Sequence, residues 1–503
     1  MRAKIIVAAA LLLGLVAWDF AAATTFVGDD YLFLAFARLE PNPLLAFTRD
    51  MHGGEYYRPL PMLLWWLLNR VGQGAQWPFA LAGFLLHAGS AALVVALGRG
   101  VGFTLRVSLA AGALFLIAPA EREAALWFAA STDLLATIAT LAALVCLLRA
   151  SRGWQVASVA LAALAYFSKE TGLVLPLLGT AAKWAASSRQ PGAAENTGRR
   201  GEFTEWLRAC VAPVVPHMVV AGGYLMVRFR VLGGLGGVND PVAPWWGRGL
   251  QMAAGLVHAV TAYAPLPEVL AWLVGGGLLL FAGVFALRTR GRAWFPVMWT
   301  LLALLPLPAA GWVVGARYYY LPAVGLMLML AWAAEARGWA VVMLAIALLA
   351  AMGLGSTAAR MGEVRRYRGV LAAARDVVAK GARAGHTIFL VRNAVKDLDL
   401  ALKLTSPVGR LPQSLLVIPD VPASFVWMPQ GLADRTRFLL ARPPLPPAGA
   451  YRFGGQSIVG LARRGEAPDL EEVVARLPEL RFIELVTDGR GQVTGRDRTE
   501  PRP

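Results

Sequence analysis

Apolar runs of about 18 to 22 residues recur along this chain, each long enough to cross a hydrocarbon core of roughly 30 Å. They fall near residues 4–23, 78–98, 106–119, 132–149, 154–168, 171–186, 207–227, 268–287, 294–311, 319–335 and 338–356. Arginines punctuate their ends. With the N-terminus inside, alternate loops become arginine-rich: Arg99 and Arg106; Arg149 and Arg152; Arg189, Arg199 and Arg200; Arg288, Arg290 and Arg292; and Arg337. Positive charge marks the cytoplasmic ends of spans, so the pattern predicts about eleven of them, with the first loop outside.

Two outer segments are apolar without reading as spans. Pro59 to Val71 is too short and carries Trp65 and Trp66, which favour the headgroup layer, so it is expected to lie on or enter the interface. Trp245 to Ala264 is similar, with a further span as the alternative. After Gly355 the pattern changes. Residues 360–384 read as a basic amphipathic helix with Arg360, Arg365, Arg366, Arg368 and Arg375. Strand-like runs follow at 387–391, 414–418, 437–440 and 481–486, with a helical stretch from Asp469 to Leu480. The expected fold class is therefore an all-α polytopic membrane protein with a small C-terminal α/β extramembrane domain. Its parts are a transmembrane region over 1–358, the α/β domain over 359–488, and a polar, disordered tail over 489–503. An odd span count puts the domain outside, in the periplasm of a bacterial inner membrane; the Ala-, Gly- and Arg-rich usage hints at a bacterial source.

Composition agrees. The 503 residues are 57% hydrophobic and 16% charged, where a soluble domain keeps about a quarter charged. The net charge of +17 does not make a nucleic-acid stripe, because its arginines sit at the ends of apolar runs. Cys146 and Cys210 lie in apolar segments, outside any disulfide or metal spacing. Five scattered histidines (His52, His87, His217, His258, His386) share no helix at ligand spacing, which argues against zinc. The opening residues also resemble a signal peptide, with Ala21-Ala22-Ala23 as a conceivable cleavage site, but the long run and the spans behind it favour an uncleaved first span.

Chemistry gathers on the predicted outer face. Asp29 and Asp30 stand side by side just past the first run, whose Ile5 to Ala23 stretch holds only Asp19 as a charge. Adjacent carboxylates beside a bilayer need a cation, a proton-transfer role or ample water. Four further clusters share that face: Glu55-Tyr56-Tyr57-Arg58-Pro59-Leu60; Ala118 to Glu123 leading to Ser131-Thr132-Asp133-Leu134-Leu135; Ser168-Lys169-Glu170-Thr171-Gly172; and Ala316-Arg317-Tyr318-Tyr319-Tyr320-Leu321-Pro322. Each alone has an ordinary reading, as a helix cap, a loop ion pair or a snorkelling arginine. Their convergence makes the case. Arg and Lys suit a phosphate or pyrophosphate, a carboxylate can take a hydroxyl proton or hold a divalent metal, and apolar walls suit a lipid tail. The pattern is compatible with transfer from a lipid-linked phosphate donor to a hydroxyl-type acceptor.

Those same residues resemble the GT-C superfamily of glycosyltransferases that use polyprenyl-phosphate-linked sugars, and within it the TMTC-like protein O-mannosyltransferases. The shared order, over roughly residues 1 to 335, runs through the acidic pair, Tyr57-Arg58-Pro59-Leu60, Pro119 to Ala124 with Asp133-Leu134-Leu135, Lys169-Glu170-Thr171-Gly172, and Arg317 to Pro322. The chain departs from the family at Ala118 and Glu121, where eukaryotic members carry histidines, and it lacks their tetratricopeptide repeats. The resemblance implies that one of Asp29 and Asp30 is the catalytic base or a metal ligand, with the reading leaning to Asp29. A divalent cation, Mg or Mn, stays open. Arg58, Lys169 and Arg317 would contact the donor phosphate, while Tyr57, Glu123, Asp133, Glu170 and Tyr320 would support the site or orient the acceptor. Implied partners are a polyprenyl-phosphate sugar and a protein or glycan acceptor in a lipid membrane, with no nucleic acid, and the reaction inverts at the anomeric carbon. The alternative is a polytopic transporter or flippase for a lipid-linked or anionic substrate. A membrane scaffold without catalysis is a third reading.

Overall fold

The first tight helix hairpin follows from two residues. Gly102 adopts the left-handed conformation, with φ of 107°, and its N–H turns back to the Gly98 and Arg99 carbonyls to close one helix. Two residues on, the Thr104 hydroxyl accepts the Val107 N–H at 3.1 Å and opens the next. The computed structural model describes most of residues 2–187, 207–236, 294–306 and 316–351, with shorter stretches to residue 497. Its helices are α1 (Arg2–Ala23), α2 (Pro59–Gly72), α3 (Trp77–Val101), α4 (Leu105–Ile117), α5 (Glu121–Leu126) and α6 (Ser131–Leu147). They continue with α7 (Arg152–Ser168), α8 (Leu175–Ser187), α9 (Val215–Leu232), α10 (Trp294–Leu304) and α11 (Tyr320–Glu335).

Helices therefore occupy the apolar runs as read from the sequence, apart from 268–287 and 338–356, which lie partly outside the described residues. Among the described residues three helical stretches are long and apolar enough to cross a membrane: Trp77–Val101, Phe128–Leu147 and Leu207–Leu232. Ala10–Ala23, Leu105–Ile117 and Trp294–Leu304 are apolar but shorter. The outer face of α9 exposes Met218, Val219, Met226 and Phe229 by more than half. An apolar face this open has lipid, not water, as its natural surrounding. The chain is an integral membrane protein.

At the centre α3, α4, α6 and α11 bury one another, and α11 contributes Val324, Leu326, Met327 and Leu328 with at most 1% exposure. Gly325 lets α10 approach closely: a Cβ there would meet the Pro296 carbonyl oxygen and Thr300 Oγ1 at 2.5 Å. Small residues give membrane helices this contact because lipid tails supply no hydrophobic drive between them. The Trp299 indole fixes the pair by donating to the Leu321 carbonyl at 2.9 Å.

Two expectations change here. Pro59 to Val71 is helical, as α2, but Trp65 is not a headgroup anchor. It is fully buried, donates to Ser131 Oγ at 3.1 Å and packs against Phe26, Phe33 and Phe79. The 3.6-residue period turns Met62, Trp65 and Asn69 inward together; Trp66 lies off that face, with Arg70 4.9 Å over its ring. The polar tail also contains a strand. Beyond residue 386 the described residues form β1 (Thr387–Arg392), β2 (Leu415–Leu416), β3 (Phe425–Met428), β4 (Tyr451–Phe453), β5 (Gln456–Gly460), β6 (Arg481–Thr487) and β7 (Val493–Asp497). One sheet has the order β2-β1-β6-β7, parallel except for the last pair, and another the order β3-β5-β4, antiparallel. Polar β7 suits an edge position, where one side of the strand needs no partner. The runs at 437–440 and 469–480, and the segment 245–264, fall outside the described residues.

The Gly325 contact carries a prediction. Gly325→Ala should cost about 1–3 kcal/mol, as overpacking does, and lower the midpoint of thermal unfolding followed by tryptophan fluorescence in detergent. Gly222→Ala, in α9 with nothing within 4 Å of a new Cβ, should leave the midpoint unchanged or raise it, since alanine is the better helix former. Equal midpoints for Gly325→Ala and wild type would contradict the close packing of α10 on α11.

Candidate active site

The Lys169–Gly172 segment shows why its residues are spaced as they are. Helix α7 stops at Ser168, Lys169 is extended, and the chain enters a 3-10 turn, Glu170–Val174. A Cβ at position 172 would stand 2.8 Å from the Ala165 carbonyl oxygen. Only glycine lets the turn fold back onto the end of the helix. The fold-back sends two adjacent side chains to different partners.

Glu170 meets two arginines. Arg58, at the N-terminal edge of α2, gives Nε and Nη2 to Glu170 Oε2 at 3.1 and 2.9 Å. Arg228 of α9 gives Nη1 to Glu170 Oε1 at 2.6 Å. Burial alone would raise the Glu170 carboxyl, but the two guanidiniums outweigh it and hold the group at about 2. Burial likewise opposes the charge on Arg58; Glu170 reverses that and keeps the guanidinium above its ordinary value.

Lys169 reaches the other way, to Asp133 in the first turn of α6. Its Nζ lies 2.5 Å from Asp133 Oδ1, and both side chains are at most 5% exposed. The same ammonium sits 4.4 Å from the centre of the Tyr318 ring. Arg317 stacks over Trp127 at 4.4 Å and over Tyr318 at 4.8 Å. Arg58 reaches the group through Glu170, the neighbour of Lys169, and its guanidinium lies 4.2 Å from the centre of the Tyr56 ring. Tyr318 thus joins Lys169 and Arg317, and Glu170 beside Lys169 brings in Arg58, three cations separated by more than a hundred residues at each step. The acids Asp133 and Glu170 stand beside them.

The other sequence-derived candidates divide. Asp30 is fully buried and accepts the Ala129 N–H at 2.6 Å through Oδ1, at the start of the helical stretch Phe128–Leu147. It caps, from a distance in sequence, the helix that carries Asp133. Asp29 and the Glu123 side chain lie outside the described residues. Tyr57 braces the fold around the site. Its buried phenol donates to the Phe47 carbonyl at 2.8 Å, and its own carbonyl accepts from Tyr224 at 3.2 Å. Tyr320 turns away from the cations into the bundle, where its phenol bonds His87 at 2.9 Å. Among the described residues no three acid, histidine or cysteine side chains gather in a metal-binding group.

Three residues joined the site without being singled out in the sequence, Arg228, Tyr224 and Trp127, and Tyr318 stood in its cluster without a role. Arg228 had a signal. It lies within the apolar stretch Leu207–Leu232, and an ionisable residue at such a position calls for a partner. Ending that span at residue 227 left Arg228 just outside the apolar run.

No protein-family model matches the chain, and no curated protein does. Among solved structures, ArnT from Cupriavidus metallidurans bound to undecaprenyl phosphate is similar with a TM-score of 0.54 at 15% identity, over 93% of this chain and 100% of that one. The apo state of ArnT from the same organism gives 0.49 at 15% identity, over 93% and 99%. At that identity the likeness is one of fold, and it extends over nearly the whole of both chains: this protein has an ArnT-like fold.

Proposed function

We propose that the protein is a GT-C-type membrane glycosyltransferase that moves a sugar from a polyprenyl-phosphate-linked donor to a hydroxyl-type acceptor, on protein or glycan, at the outer face of the membrane. The observation that carries the reading is the gathering of three cations, Lys169 and Arg317 at the Tyr318 ring and Arg58 on Glu170, the residue next to Lys169. Its support is the fold shared with ArnT, whose structure holds undecaprenyl phosphate. Arg58 Nη1 meets no acceptor among the described residues, whereas Nε and Nη2 hold Glu170. That nitrogen, the Lys169 ammonium and Arg317 are the groups that would take the donor phosphate.

The chemistry follows. The acceptor oxygen attacks the anomeric carbon, the bond from that carbon to the phosphate oxygen breaks, and polyprenyl phosphate leaves with the electron pair. The configuration inverts. Negative charge grows on the leaving phosphate, where fixed cations in a water-poor site stabilise it most. The acceptor proton goes to Asp29. Asp30 is the weaker candidate because its Oδ1 is committed to the Ala129 N–H. A divalent cation at the acidic pair would supply the same activation of the hydroxyl. The spans number eleven in this reading, and the strand-bearing C-terminal region is a small α/β domain in the periplasm.

Purified protein in lipid, given radiolabelled polyprenyl-phosphate sugars and a panel of hydroxyl acceptors, should transfer label. Asp29→Asn should lower the rate about 10²- to 10⁴-fold, the usual contribution of a positioned base. Asp30→Asn keeps an acceptor for the Ala129 N–H and should retain most activity, while Asp30→Ala should cost roughly 1 kcal/mol of stability. Full activity in Asp29→Asn with loss in Asp30→Asn would exchange the two roles; full activity in both removes the base assignment.

The pH dependence is signed as well. Glu170 has its pKa lowered on folding, so its contribution to stability is complete above the ordinary carboxylate range and is lost only as pH falls toward about 2. The acid limb of kcat/KM therefore does not come from Glu170. Glu170→Gln should be slower than wild type at every pH, with its limb at an unchanged position. A limb that moves would assign that titration to Glu170.

A further inference from the structure

Helix α9 is a peripheral helix with a lipid-exposed face, yet two of its side chains reach the cation cluster. Tyr224 and Arg228 stand one turn apart on the same side. The Tyr224 hydroxyl donates to the Tyr57 carbonyl at 3.2 Å and accepts from Arg228 Nη1 at 3.3 Å. That nitrogen also takes Glu170 Oε1 at 2.6 Å. Arg228 is 5% exposed and Tyr224 1%, so neither points at solvent or lipid. Glu170 in consequence has each oxygen occupied by a different arginine, and Arg58 meets only Oε2.

We propose that Arg228 is a positioning residue for lipid-phosphate binding: by holding Glu170 Oε1 it shares the negative charge of the carboxylate, so that Arg58, bound to Oε2 alone through Nε and Nη2, keeps more of its attraction for a phosphate at Nη1. A carboxylate facing a lone guanidinium takes the two-bond fork on two oxygens, the stronger arrangement, which here would use the same Nε and Nη2 and set the whole carboxylate charge against Arg58. With Arg228 present that charge is divided between two guanidiniums. Without it, Glu170 offsets more of the positive charge that Arg58 offers the incoming phosphate. This inference rests on the proposed function in one respect, that the phosphate site lies at Arg58.

The competition gives a sign that a merely structural ion pair would not. Undecaprenyl phosphate binding to the full-length protein in nanodiscs would be measured for wild type, Arg228→Gln, Arg228→Lys, Glu170→Gln and the Arg228→Gln/Glu170→Gln double variant. Inorganic phosphate, added as competitor, separates recognition of the phosphate from that of the lipid tail. Arg228→Gln should bind about tenfold more weakly, equivalent to roughly 1.4 kcal/mol. Arg228→Lys should recover part of that loss. The double variant should bind more tightly than Arg228→Gln alone, because the competitor for Arg58 is gone. Wild-type affinity in Arg228→Gln, or a double variant weaker than both singles, overturns the positioning role while leaving the phosphate site standing. No binding by wild type overturns the site and the positioning role together. If Arg228→Gln does not fold, Arg228→Lys against Arg228→Lys/Glu170→Gln repeats the comparison with charge retained.

Discussion

The site depends on one carboxylate shared between two guanidiniums. Glu170 draws together three parts of the chain that are far apart in sequence: the edge of α2 through Arg58, the turn after α7 that carries Glu170 itself, and α9 through Arg228. In a membrane protein this contact has unusual authority. Partly buried ionised groups beside a bilayer are stable only when they meet one another. Lys169 and Asp133 obey the same rule one residue away. The two pairs share a backbone hinge, the Gly172 turn, so the charges cannot rearrange independently.

Arg317 lies over the rings of Trp127 and Tyr318, whose negative faces attract a guanidinium. Among the described residues, Arg58, Lys169, Arg228 and Arg317 thus stand with the carboxylates of Glu170 and Asp133, so positive charge is in surplus while each member has a local partner. That combination is what a phosphate site requires, because bare cations packed together would repel one another and destabilise the fold before any ligand arrived.

Much of this was legible in the sequence, and the exceptions have physical causes. The runs of apolar residues mark the helices because a bilayer demands long apolar segments with internally satisfied backbones. Lys169, Glu170, Arg58 and Asp133 stood out because charge between apolar runs is costly. Trp65 was misplaced because tryptophan serves both at interfaces and in cores, and the choice rests on which helix face finds neighbours, a tertiary fact. Tyr318 and Tyr320 could not be told apart in a row of three tyrosines; the turn Ala316–Tyr319 gives way to α11 between them, so one meets Lys169 and the other His87. The strand β7 was invisible for a similar reason. Its side chains are mostly polar, and its hydrogen-bonded neighbour β6 makes it a strand.

Contacts on either side of the acidic pair hold Thr24, Thr25 and Asp30 in place. Upstream, Arg368 Nη2 donates to the Thr24 carbonyl at 2.9 Å and to Gln76 Oε1 at 3.3 Å, and Gln76 in turn donates to Thr25 Oγ1 at 3.1 Å. A cation on the last carbonyls of a helix is favoured by the helix dipole. Within α1, buried Asp19 accepts from Thr357 at 2.7 Å. Downstream, Asp30 is held by the Ala129 N–H. The arginine-bearing segment past residue 355, read from sequence as a basic helix, thus contributes the clasp that sets where the chain leaves α1. Base catalysis needs a carboxylate placed to within a fraction of an ångström of the hydroxyl it serves. An acid on a loose tail could not meet that demand, whereas one flanked by a clasped helix end and a buried cap can. Under the role proposed for Asp29 the two aspartates are not redundant: buried Asp30 anchors the loop from which its neighbour would act.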